Sequence, residues 1–316
     1  MSLCSTAALN RSRRPSQVSV ESAEAVAMAR ALILAHHDRD GVVDDHVVAA
    51  IHAYRAVADY LVVVSTSARA LPDTVAPLVD RFIPRPNEGY DFCSWRAGLE
   101  GLGGASAFDE LLCVNDSVYG PLADLGTTLA DSQLADADFG GMCLSTQDPA
   151  GGLAPRPHLQ SWFLIFRRPV LEHVAYRDFW EGVVPLDRKR DIVERYEIGL
   201  SERLVEAGFR MGALYDQREH GPATLAEMLP HLSWRSPGRS FRHLRKSRRA
   251  MHNPSELHWR RLLEAGVPFA KVSLFLPNHY GLDRNVILRW LAAQTSYDCR
   301  LIERHLHRLA TDRPRR

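Results

Sequence analysis

A chain of 316 residues, 46% apolar and 24% charged, suffices for one large domain or two modest ones built around full cores. Its 39 Lys and Arg offset 38 Asp and Glu, so overall charge speaks against a nucleic acid partner. The five cysteines (Cys4, Cys93, Cys113, Cys143 and Cys299) form no CxxC pair, which excludes a disulfide framework or zinc site by spacing and fits a reducing compartment.

Residues 1–27 have basic residues after their short apolar piece, a poor signal peptide, and read as a disordered lead-in. ALILAHHD (31–38) is an apolar run ending in polar residues, the pattern of a parallel strand entering a loop. Asp44 or Asp45 then caps a helix with Val47, Val48, Ile51, Tyr54 and Val57 on one face. LVVVST (61–66) is a second strand, a helix through Val75, Leu78 and Val79 follows, and RFIPRP is a third strand. A helix spans Tyr90 to Leu102, DELLCVND is a further strand, and DFGGMCLST (138–146) another. Cys113 and Cys143, within apolar runs, are expected to be buried.

HLQSWFLIFRRPVL (158–171) reads as one aromatic-rich strand, with Trp162 and Phe163 in the core. A helix runs from about Arg188 to Ala207 and stops at Gly208, FRMGALY is a strand, and a helix near the end starts at Asp283. The expected class is α/β with a mainly parallel sheet over residues 28–220, followed by a mostly helical region over 221–316. No apolar stretch approaches the roughly 20 residues that span a bilayer. The acid-free basic stretch Arg235–Arg249 suits a solvated face, or phosphates and an anionic membrane surface.

In such sheets ligands bind at the carboxyl ends of the strands, which places His36 and Asp38 on one rim with Asn115, Asp116 and Ser117. There is no Gly-rich dinucleotide fingerprint, P-loop or Gly-x-Ser-x-Gly elbow.

PNEGYDFCSWRAGLEGL, FDELLCVNDSVYGPL, HLQSWFLIFRRPVL and YEIGLSERLVEAGF, in this order, resemble the rhamnan synthesis F family, and NPSELHWRRLLEAGVPFAKVSLF resembles the segment that often follows. The resemblance covers roughly residues 30–285. It implies a GT-A-like, Rossmann-type glycosyltransferase of bacterial surface polysaccharide assembly, using a nucleotide sugar such as dTDP-rhamnose. Against inverting GT-A transferases, Asn87 and Gly89 match the Asn-x-Gly segment, Asn115-Asp116-Ser117 falls at Asp-x-Asp, and Glu197 falls at the base.

The reaction requires a neutralised diphosphate, a deprotonated acceptor hydroxyl and an anomeric carbon held between them. Asp-x-Asp ordinarily holds Mg²⁺ or Mn²⁺; here Asp116 alone keeps a charge and is the metal ligand expected, with Asn115 and Ser117 as neutral hydrogen-bonding partners. Glu197, partly desolvated by Tyr196 and Trp180, is expected to have a raised pKa and act as base, with Asp138 and Asp91 as alternatives. His36, Asp38, Asn87, Gly89, Tyr90 and Asp91 are placed toward the donor, and His158, Gln160 and Ser161 toward a glycan or lipid-linked acceptor. Arg167 and Arg168 either bind diphosphate or face water. The expectation is a cytoplasmic enzyme, peripheral to the membrane through Arg235–Arg249. The competing expectation is a non-catalytic carbohydrate-binding or scaffold protein on the same fold.

Overall fold

The computed structural model describes residues 28–147, 154–247 and 252–311; the lead-in expected over 1–27 and the end of the basic stretch, Arg248 and Arg249, lie outside them. The strands are β1 (Arg30–His36), β2 (Tyr60–Ser65), β3 (Arg81–Pro84), β4 (Glu110–Asn115), β5 (Val118–Tyr119), β6 (Phe139–Ser145), β7 (His158–Leu159), β8 (Phe163–Arg167), β9 (Met211–Asp216) and β10 (Ala270–Lys271). The main sheet runs β3–β2–β1–β4–β8–β6, and β9 pairs in parallel with Phe139–Leu144 of β6. β9 occupies one edge of β6, so β8 and β7 share the other, pairing with Phe139–Gly141 and with Leu144–Ser145. Only β7 and β8 run against the rest. This is the mainly parallel α/β sheet expected.

Side chains alternate along each strand, so two cores form. Ala31, Ile33 and Ala35 of β1 join Val62 and Val64 of β2 on one face. There they meet Phe92, Trp95 and Leu99 of α2 (Tyr90–Leu102), together with Tyr176, Phe179 and Trp180 from a later helix. Leu32 and Leu34 face the other way, onto Val47, Ala50, Ile51 and Tyr54 of the helix Asp45–Arg55. Cys113 and Cys143 are fully buried in these cores, as are Trp95 and Phe163, and Trp162 nearly so.

The helical C-terminal region has a third core around Trp259, Phe275, Ile287 and Leu291, yet it is fastened to the first part. Tyr119 and Leu122 enter that third core, while Leu262, Val267 and Phe269 pack into the sheet's second core. β10 pairs antiparallel with β5, setting Lys271 opposite Val118.

Three expectations change. Around Val75–Val79 there is only a single 3₁₀ turn, Ala76–Leu78, because Pro77 has no amide to extend a helix. The strand expected over 158–171 is broken at Gln160–Trp162, whose polar groups turn to side-chain partners, and Pro169 starts a helical turn at Arg168–Leu171. The helical run from Lys189 holds to Glu206 but widens into a π-helical turn at Val193–Ile198. Gly208, at φ +92°, stops it as expected: its amide bonds Val205 O and that of Phe209 bonds Leu204 O.

Candidate active site

The strands β1, β2 and β4 end side by side, and the chain turns polar at each end. His36 is buried, with Nδ1 2.9 Å from Ser65 Oγ at the end of β2. Burial disfavours its charged form and pushes its pKa down to about 4. Asp116, just beyond β4, accepts the His37 amide on Oδ2 at 2.7 Å, and His36 Nε2 stands 3.9 Å from the same oxygen. Burial pushes the Asp116 carboxyl up to about 8; the His37 amide opposes this and Asp91 adds to it.

Two cavities meet here, since His36, His37 and Asp116 line both. The larger, about 710 Å³, runs along the N-terminus of α2 past Asn87, Gly89, Tyr90 and Asp91. Gly89 and Tyr90 both lie at positive φ, +68° and +54°. A Cβ on Gly89 would stand 2.2 Å from Cys93 Sγ, so only glycine fits, and the strained, exposed Tyr90 is turned to the cavity wall. Asp91 reaches back to β4 by accepting Asn115 Nδ2 at 2.8 Å. Burial raises its pKa although Asn115, Lys271 and Lys189 resist.

The smaller cavity, about 490 Å³, continues past Ser117 to Asn253, Glu256, Lys271 and Lys189. Lys271 Nζ donates to Ser117 Oγ at 3.0 Å and lies 5.6 Å from the centre of the Trp162 ring. Burial lowers its pKa to about 8. Glu256 is buried beside Asn253, whose Nδ2 donates to it at 3.2 Å, and burial pushes its carboxyl up. None of Lys189, Asn253, Glu256 and Lys271 was singled out from sequence. The available signals were a lone lysine inside the apolar run FAKVSLF and a polar NPSE before a helix.

Of the other expected residues, Asp38 lines the smaller cavity and the rest face elsewhere. Asp38 is held by Arg308, from the last helix, and by the amides of Asp40 and Val42. Glu197, on the π-helical turn, accepts the Ser161 amide at 2.7 Å and the Ser161 hydroxyl, with His158 Nε2 3.5 Å away. Burial alone would raise its pKa, but His158 and Ser161 outweigh it and hold the carboxyl low, contrary to expectation. Gln160 is spent on Asn253 and the Trp162 indole, at 2.8 and 3.0 Å. His158, Gln160 and Ser161 therefore brace Glu197 and Asn253, and line neither cavity.

Asp138, Arg167 and Arg168 lie at the opposite end of the strands, where β4 and β6 begin. Asp138 accepts the Arg210 amide at 2.8 Å, Arg167 pairs with Glu110 at 3.0 Å, and Arg168 pairs with Asp109. That position rules out Asp138 as base, and Arg167 and Arg168 as diphosphate ligands, because β4 lies lengthwise between them and Asp116.

The motif side chains are largely engaged with one another. Asn115 Oδ1 accepts the Ser117 amide and hydroxyl at 3.1 and 2.6 Å, Ser117 Oγ accepts Lys271, and Asp116 Oδ2 accepts an amide. With one carboxylate, and with the Lys271 ammonium on Ser117 Oγ, this donor set is a poor cage for a divalent cation, which would have to complete its shell from phosphates and water. Among the described residues, one group has metal-ligand spacing: Asp44, His46 and His305, with ligand atoms within 4.8 Å of one another on the far wall of the smaller cavity. There, Arg308 Nε holds Asp44 at 2.9 Å and the Tyr119 hydroxyl meets His305 Nδ1 at 2.8 Å.

The model of the family described as "Rhamnan synthesis protein F" matches residues 61–233, more than half of the chain. The chain belongs to the rhamnan synthesis protein F family. The matched region runs from β2 through Asp116 and Glu197 and stops short of Lys271. Membership sets the chain in polysaccharide synthesis. Among curated proteins it is similar to "Virulence protein VirA" of Vibrio anguillarum, 27% identical over 231 residues, or 71% of this chain and 72% of that one. Among solved structures it is similar to the galactosyltransferase LgtC in complex with donor and acceptor sugar analogs. That likeness has 13% identity over 85% of this chain and 97% of LgtC, with a TM-score of 0.37. A second is glucosyl-3-phosphoglycerate synthase from Mycobacterium tuberculosis with Mn²⁺, UDP-glucose and phosphoglyceric acid. It is 12% identical over 72% of this chain and 84% of the synthase, with a TM-score of 0.32. Likenesses this loose carry no residue role from one chain to the other.

Proposed function

We propose that this chain is a glycosyltransferase that moves a sugar, rhamnose by preference, from a nucleotide sugar to a growing surface glycan. The carrying observation is Asp116 at a strand end where two cavities meet. The larger cavity has the polar wall and helix N-terminus that suit a nucleoside and its phosphates. The smaller one takes the sugar and the acceptor. His36, Asn87, Gly89, Tyr90 and Asp91 belong to the donor side, and Asn115 and Ser117 shape the junction.

We place the general base at Glu256 rather than Glu197. Glu256 lines the smaller cavity and has a carboxyl raised by burial, which makes it the stronger base. Glu197 is tied to Ser161 and His158 and serves to position the β7–β8 break. Glu256→Gln is expected to lower transfer on the order of 10²–10⁴-fold with donor binding retained. Glu197→Gln is expected mainly to destabilise. The reverse pattern would return the base to Glu197.

The acceptor side also suits a lipid-linked glycan at the inner face of the membrane. Among the described residues no helix is long and apolar enough to cross a bilayer. Beside the helix Pro237–Ser247, however, Trp234 is 85% and Phe241 68% exposed, among exposed Arg235, Arg242 and Arg245. Aromatic and basic groups together suit an anionic surface. Co-sedimentation with vesicles containing anionic lipid tests this, and loss in Trp234→Ser/Phe241→Ser is the expected result.

A transfer and hydrolysis screen across nucleotide sugars tests the function itself. The mutual hydrogen bonding of Asn115 and Ser117 favours a second reading, a carbohydrate-binding scaffold. Sugar binding without any nucleotide-sugar binding would support it.

A further inference from the structure

We propose that Lys271, delivered to the cleft by β10, is the cation that holds and neutralises the donor's diphosphate, in place of a divalent ion at Asp116. This rests on the glycosyltransferase reading above.

The backbone fixes Lys271 at this place. β10 pairs with β5 immediately after the Asn115-Asp116-Ser117 motif, and the Val272 amide donates to Ser117 O at 2.9 Å. The side chain then lies along Trp162 and ends at Ser117 Oγ. Lys271 is half-buried in a cavity wall, and its one hydrogen bond among the described residues goes to a neutral hydroxyl. Among the described residues no carboxylate comes within ion-pair distance of it.

The acids around it have other partners. Asp91 accepts Asn115, Glu197 accepts Ser161, and Glu256 accepts Asn253. An ammonium confined without an ion-pair partner is what a diphosphate requires, and Lys189 lines the same cavity as a second cation.

In the transfer step the bond from the anomeric carbon to the β-phosphate oxygen breaks, and its electron pair leaves with the nucleoside diphosphate. The acceptor oxygen forms the new bond to that carbon, and its proton passes to Glu256. Lys271 keeps its protons and faces the charge that develops on the β-phosphate.

The test is calorimetric binding of dTDP and of UDP to the full chain, in EDTA and in Mn²⁺. Wild type is expected to bind at least one of them with affinities within about twofold between the two conditions. Lys271→Met, which keeps the length of the stem, is expected to weaken binding at least tenfold, and Lys271→Arg to restore most of it. Unaltered binding by Lys271→Met would overturn the inference, as would loss of wild-type binding in EDTA. Failure of wild type to bind either nucleotide in both conditions would overturn the glycosyltransferase reading and this inference with it. Thermal unfolding of both variants confirms that they are folded.

Discussion

Glu110 and Asp116 stand at opposite ends of the same strand, and the protein treats them in opposite ways. Glu110, 1% exposed, is paired by Arg30 and by Arg167, and both guanidiniums are anchored further by backbone carbonyls. Asp116 has one amide, a neutral imidazole at 3.9 Å and a like charge in Asp91. Where a buried acid holds the fold together its charge is met in full; where it faces a cavity it is left short. Burial without a matching counter-charge raises the free energy of the ionised form, and a ligand that supplies the missing partner recovers that energy.

The contrast breaks first on Asp116→Ala. Transfer is expected to fall about 10–100-fold, through loss of a hydrogen bond from a donor hydroxyl to the carboxylate, while the melting temperature stays level or rises, because the substitution removes a poorly compensated carboxyl. A loss of stability matching the loss of rate would make Asp116 another structural acid. Glu110→Gln should do the converse. Leaving two guanidiniums facing a neutral amide costs about 3–5 kcal/mol, read from denaturant midpoints, with transfer per folded molecule unchanged. A cost below about 1 kcal/mol would remove the distinction between the two ends.

Glu227 gives a smaller version of the compensated case. It takes Arg261 and caps a helix at Thr224, and its pKa falls to about 2 against its burial. A folded pKa below the unfolded value of about 4.5 adds stability at neutral pH, lost as pH falls from about 4.5 toward 2. Glu227→Gln is therefore expected to be about 1–2 kcal/mol less stable than wild type at pH 7, with the gap closing by pH 2–3. A constant gap over that range would mean that the charge contributes nothing.

Much of this arrangement was legible in the chain because strand ends announce themselves. ALILAHHD and ELLCVNDS each pass from unbroken apolar to polar within two residues, and that transition placed His36 and Asp116 on one rim. The helix from Tyr90 to Leu102 was legible from the apolar spacing of Phe92, Trp95 and Leu99. Side-chain partnership was not legible. Nothing local in HLQSWF shows that Gln160 and Ser161 turn away from the ladder toward Asn253 and Glu197, which lie far along the chain. Asp138 looked free because its end of the sheet depends on strand direction, which residue spacing does not reveal. Lys271 was missed for the same reason: a lone lysine between apolar residues acquires its meaning only when β10 is laid against β5.

That pairing also has a consequence in time. Ser117 meets its lysine 154 residues further along the chain. A chain emerging from the ribosome makes β1 to β4 and Asp116 well before β10. If Lys271 holds the donor's phosphates as proposed, the half-made protein has Asp116 but not yet that lysine. The proposed donor site is then completed only when synthesis has passed Lys271.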